Sequence, residues 1–124
     1  MDDLPSGSLH ARLSSAIGSM DQLFEQIGNI VQRKDRERLY ELLRCRRLLT
    51  SQIETLAHLV EEAADKAAKE TLRRRVADLR YQIAEHQSRW PAVMIDGSAE
   101  YQRSATSVMQ TYRDLSLWLR TILF

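Results

Sequence analysis

The side chains able to do chemistry are few. Histidines stand at His10, His58 and His86, and the one cysteine is Cys45. In the segment HLVEE, His58 and Glu62 are four residues apart. On a helix that spacing is about one turn, so both side chains can reach one ion, a workable metal-ligand pair. Cys45 is the one candidate thiol nucleophile, but it sits in the run Leu42, Cys45, Leu49, whose helical spacing marks a buried stripe. A thiol in that position reads as a small core residue. The chain has no serine in a nucleophile-elbow motif, no glycine-rich phosphate loop and no paired cysteines in a zinc pattern. The acid pair Glu61–Glu62 reads as a solvated helix surface. We therefore expect no enzymatic activity and no cofactor.

Whatever these residues do, helices must position them. The chain has four Gly and two Pro, and neither type occurs between Gly28 and Pro91. Apolar residues recur at helical rather than strand spacing. A first stripe runs Leu9, Leu13, Ile17, Met20, Phe24, Ile27, Val31, with Ser6 or Ser8 as its N-cap. A second runs Leu42, Cys45, Leu49, Ile53, Leu56, Val60, Ala63, with Asp35 a cap ahead of it. The third is Leu72, Val76, Leu79, Ile83, His86, Trp90, ended by Pro91. The fourth starts at Asp96 or Ser98 and carries Tyr101, Ala105, Val108, Tyr112, Leu115, Leu119, Ile122, in the alternating steps of a heptad seam. These patterns predict helices over about 7–32, 35–64, 67–90 and 97–123.

Residues 35–90 hold no breaker, so one long helix is the alternative to two shorter ones. At about 100° per residue, the third stripe starts about 150° away from the second. A hairpin near Ala64–Ala68 explains that switch of buried face; a single helix would need a partner chain to cover both faces. The expected fold is therefore all-α, an antiparallel up-down four-helix bundle forming a single domain over 1–124.

On the helix order, His10 in the first helix, the HxxxE of His58 and Glu62 in the second and the heptad pattern of the fourth, the chain resembles hemerythrin-like bundles. That resemblance implies a di-iron, oxygen-binding centre, with His10, His58 and Glu62 as the matching ligands. The family's third-helix HxxxH is broken here, because Trp90 follows His86 at the fourth position, and the fourth helix has no histidine. In an up-down bundle His10 and His58 share one end. His86 lies about 20 residues along the third helix, roughly 30 Å away. His58 and Glu62 also point away from the second stripe, so our primary expectation is that no metal is bound.

Charge patterning offers more. Arg33, Arg36, Tyr40, Arg44 and Arg47 recur at steps of three and four on one outward face, and Glu54, His58, Glu61 and Glu62 follow farther along it. A helix dipole favours the opposite order, so the pattern is mildly unfavourable locally. Either neighbours pair with it (Glu37 and Glu41 nearby, Arg73–Arg75 at the acidic end) or the basic strip docks an acidic partner. A second candidate contact is the corner HQSRWPAVMIDGSAEY, where Trp90 should cap the core. Met94 and Ile95 there either fold over the core end or form an exposed lip. A third is Leu117 with Phe124, an apolar pair off the fourth seam that suits self-association into a homodimer.

Bulk composition sets the outer bounds. The chain of 124 residues is 44% hydrophobic and 28% charged, with net charge +1. It can bury a core, and it has no global bias toward nucleic acid or anionic membrane. Its 15 Arg outnumber its 3 Lys, but the basic strip is short and followed by acid, so a nucleic acid partner is not expected. One cysteine allows no intrachain disulfide, no apolar run approaches the roughly 20 residues of a membrane span, and the acidic start MDDLPSGS is unlike a secretion signal. The expected protein is cytoplasmic, bacterial in type, and a non-catalytic interaction or regulatory module with a protein partner. The alternatives are a hemerythrin-like metal or oxygen binder and an export-type chaperone for a helical partner.

Overall fold

The computed structural model describes residues 5–33, 37–63, 65–91 and 98–123. They form α1 (Pro5–Val31), α2 (Arg38–Val60), α3 (Lys66–Arg89) and α4 (Ala99–Leu123). The fold is an all-α four-helix bundle, and none of its helices is long and apolar enough to cross a membrane among the described residues.

Each boundary has a local cause. Pro5 opens α1, where its fixed φ and missing N–H cost nothing. At the other end, Arg38 Nη1 donates to the Arg33 carbonyl at 2.9 Å and to the Val31 carbonyl at 3.5 Å. An arginine from α2 thus satisfies carbonyls that α1 leaves open. Asp35, the expected cap of α2, lies outside the described residues. α2 closes in a tight turn, with the amides of Glu61, Glu62 and Ala63 donating to carbonyls three residues back. α3 then restarts under Asp65, whose carboxylate accepts from the amides of Ala67 and Ala68 at 3.0 and 3.4 Å. Two helices therefore occupy the breaker-free stretch. Trp90 ends α3 at φ −127°, ψ 70°, outside the α region that the Pro91 ring disfavours for the residue before it. Ser98 Oγ accepts from the Tyr101 amide at 3.1 Å and caps α4, with Glu100 in the first turn.

Cross-helix pairs show that sequence neighbours run antiparallel. Arg12, early in α1, pairs with Glu62 just past α2, while Arg33 just past α1 pairs with Glu41 early in α2. Glu54 of α2 and Glu61 just past it meet Arg80 and Arg73 of α3 at 2.8 and 3.0 Å. Gln82 of α3 accepts from Thr111 of α4 at 2.8 Å, and Arg75 lies over the Trp118 ring, 5.3 Å from its centroid.

The core follows the expected stripes closely. Met20, Leu56, Leu79 and Leu119 are fully buried at its centre. Ala63, His86, Trp90 and Ala105 are half-buried at its edge, and the Ile122 side chain lies outside the described residues. α1 departs from its stripe in its second half. Leu23 and Ile30 are buried there, and Phe24, Ile27 and Val31 are half-buried. The reason is the seam with α4: α1 packs most extensively on α2 and much less on α4.

Candidate functional site

Beyond the core stripe, α2 presents a face to solvent that falls into two halves. In the C-terminal half each acid has a partner. Glu54 pairs with Arg80; Glu61 pairs with Arg73 and, at 3.6 Å, with Lys69; Glu62 holds Arg12 through both carboxylate oxygens, at 3.1 and 2.5 Å. The hydrogen bond from Arg73 holds the Glu61 carboxyl below its ordinary value. This end of the strip is structural, as pairing with α3 predicts.

The N-terminal half is different. Glu41 takes Arg33, which lies half-buried just after α1 rather than on α2 itself. Arg44 and Arg47 are exposed and have no carboxylate partner among the described residues. Around them stand Tyr40, 76% exposed, Leu48, 45%, and Leu43, 37%. Those are three of the five large exposed hydrophobics among the described residues, within nine positions of one helix. At about 100° per residue, all five side chains lie within about 80° of the direction opposite the core stripe. Sequence reading singled out Tyr40, Arg44 and Arg47 but passed over Leu43 and Leu48. Their signal was the phase of the wheel, masked because leucine on a helix reads first as core.

The other expected contacts disperse. Arg36, Met94, Ile95 and Phe124 lie outside the described residues. Leu117 is 65% exposed on α4, on the side away from the seam. Trp90 packs on the core edge, its ring edge-on to Tyr101 with centroids 5.5 Å apart, and its buried indole N–H has no hydrogen-bond partner among the described residues.

The metal-ligand types do not assemble. His58 is exposed, His10 is half-buried, and both oxygens of Glu62 face the Arg12 guanidinium. No group of three His, Cys, Asp or Glu side chains is placed to hold a metal ion among the described residues. Cys45 is buried beside Gln26 Oε1 at 3.7 Å, and burial pushes its thiol above the ordinary value. A buried, protonated thiol is a poor nucleophile.

One feature escaped sequence reading altogether. Where α1 and α4 separate, a cavity of about 420 Å³ opens between them, floored by Leu49 of α2 and Ile83 of α3. Phe24, Ile27 and Val31 form one wall, and Ala105, Val108 and Met109 the other. Its polar lining is Arg46, His86 and Tyr101, with Gln32, Gln87 and Gln102. Burial pushes the Arg46 guanidinium below its ordinary value. Burial, and then the charge of Arg46, bring His86 down to about 4, so its ring is neutral at pH 7. His86 Nδ1 shares a hydrogen bond with Ser104 Oγ at 2.7 Å, and its ring stands 5.4 Å from that of Tyr101. Arg46 lies about 60° from the centre of the α2 core stripe, a phase that marks it as a core-edge residue.

No protein-family model matches the chain, and neither a curated protein nor a solved structure matches it.

Proposed function

We propose that the protein is a non-catalytic interaction module that docks an acidic, partly apolar segment of another protein on the N-terminal half of α2. The carrying observation is the cluster of Tyr40, Leu43 and Leu48 with Arg44 and Arg47 on one solvent face. Tyr and Arg are among the residues most enriched where proteins bind one another. A tyrosine and two leucines leave apolar surface in water, and two arginines beside them select a negatively charged occupant. Glu41, the acid three residues from Arg44, is already held by Arg33, and the acids of the other half by Arg80, Arg73 and Arg12. Nucleic acid fits less well, because the basic strip is short and gives way to the acidic half of the helix.

The test compares two baits, the wild-type chain and the triple variant Y40S/R44S/R47S, by capture from a lysate followed by mass spectrometry. The expected result is a protein retained by the wild type, released by the variant and eluted by salt, as exposed ion pairs demand. Identical capture by both baits would overturn the reading. So would a large fall in the variant's melting temperature, since the three side chains would then serve the fold.

A further inference from the structure

The cavity between α1 and α4 has a property the α2 face lacks: its cation is half-buried. Arg46 has no ion pair among the described residues, and no described carboxylate lines the cavity. A guanidinium stays charged at any working pH, so withdrawing it from water without a counter-ion is unfavourable. The usual relief for a buried cation is a carboxylate held through two parallel hydrogen bonds. The surroundings narrow the choice of anion. His86 adds no charge at pH 7, and neither does Tyr101, a phenol that burial raises further above its ordinary value. The positive field comes from Arg46, with Arg38 contributing at Tyr101. Arg46 is the one cation lining the cavity among the described residues, and a single guanidinium beside apolar walls suits a monoanion with a hydrocarbon body better than a phosphate. The volume falls in the range of about 300–1,000 Å³ usual for small-molecule sites.

We propose that this cavity binds an amphiphilic carboxylate, its carboxylate on Arg46 and its hydrocarbon body between Phe24, Ile27 and Val31 of α1 and Ala105, Val108 and Met109 of α4. Tyr101 is the second polar group at the head-group end. Gly28 stands at the wall, and a side chain added there would meet nothing within 4 Å. Gly28 lines the cavity and has room for a Cβ, so a larger residue there is the variant chosen to obstruct the site. The site is independent of the proposed docking face, which lies on the opposite side of α2.

The test titrates the full chain with decanoate and, separately, with decanol, following backbone amide resonances. Decanoate should give saturable shifts at Gly28, Ala105 and Met109, with affinity about tenfold or more above that of decanol, the margin expected of a charge-assisted pair. In Arg46→Met the two probes should bind alike. In Gly28→Leu both should be lost while the melting temperature is held, which separates a blocked site from a failed fold. The proposal is overturned if decanoate gives no saturable shift at those amides, or if its preference over decanol survives in Arg46→Met. Shifts confined to Tyr40–Leu48 would also overturn it, placing the anion on the α2 face instead.

Discussion

The seam between α1 and α4 is closed at one end and open at the other. At the closed end the Tyr112 hydroxyl is within donor reach of the Ile17 carbonyl, at 3.0 Å, and of the Asp21 carboxylate, whose other oxygen accepts from Arg120 at 3.0 Å. Burial and the hydrogen bond to Asp21 raise the Tyr112 phenol far above its ordinary value. At the open end Arg46 and His86 are also withdrawn from water, but Arg46 has no counter-ion among the described residues and His86 is held neutral. Both ends bury polar groups. One satisfies them from within the chain, and the other leaves a cation facing a cavity. Residual polar capacity inside a fold is therefore a better pointer to function than burial alone.

The contrast can be broken by truncation. Leu119 is fully buried beyond the Tyr112 network, so Leu119→Ala should cost about 2–5 kcal/mol in denaturant unfolding. Ile27→Ala at the half-buried cavity wall should cost well under half of that; equal losses would mean the open end is packed as tightly as the closed one. Next in size, Tyr112→Phe removes the hydroxyl but leaves Asp21 paired with Arg120, and should cost about 1–1.5 kcal/mol.

A pH titration reads the open end. His86 sits near 4 in the fold against an ordinary 6.5, so on acidification the unfolded chain takes up this proton first. Stability should fall as pH drops from 6.5 toward 4 and level off below. His86→Gln should flatten that slope by roughly 1 kcal/mol, allowing for solvent screening of a half-buried ring. An unchanged slope would move the pH dependence to the carboxylates. Gly28→Ala has the opposite sign. It adds a methyl group to open space in a helix interior and should stabilise by about 0.5–1 kcal/mol; a loss would mean the cavity wall is closed. The smallest effect belongs to the α2 face, where Y40S/R44S/R47S should change unfolding free energy by no more than about 0.5 kcal/mol.

Much of the fold was legible in the chain. Leu42, Leu49, Ile53 and Leu56 repeat at helical spacing, and the phase jump to Leu72 announced the turn that Asp65 caps. Such features depend on backbone geometry and on neighbours within a turn or two. Part of the proposed docking face was legible for the same reason, since Tyr40, Arg44 and Arg47 share a phase. The pairing of its charges was not. Glu41, three residues from Arg44, is taken by Arg33 from beyond α1, a contact that depends on where two helices meet.

The sequence by itself determined the helix count, a turn expected near Ala64–Ala68 and found a few residues earlier at Glu61–Ala63, and most of the core residues, because periodicity is a property of one helix and is written along the chain. Tertiary structure decided which charges are satisfied and where space is left. Phe24, Ile27 and Val31 read as core and instead line a cavity, because α1 packs on α2 and only lightly on α4. Arg46 reads as a core-edge arginine like any other. Only the distance between two helices, set by all the packing beneath them, leaves it facing a cavity with no acid among the described residues.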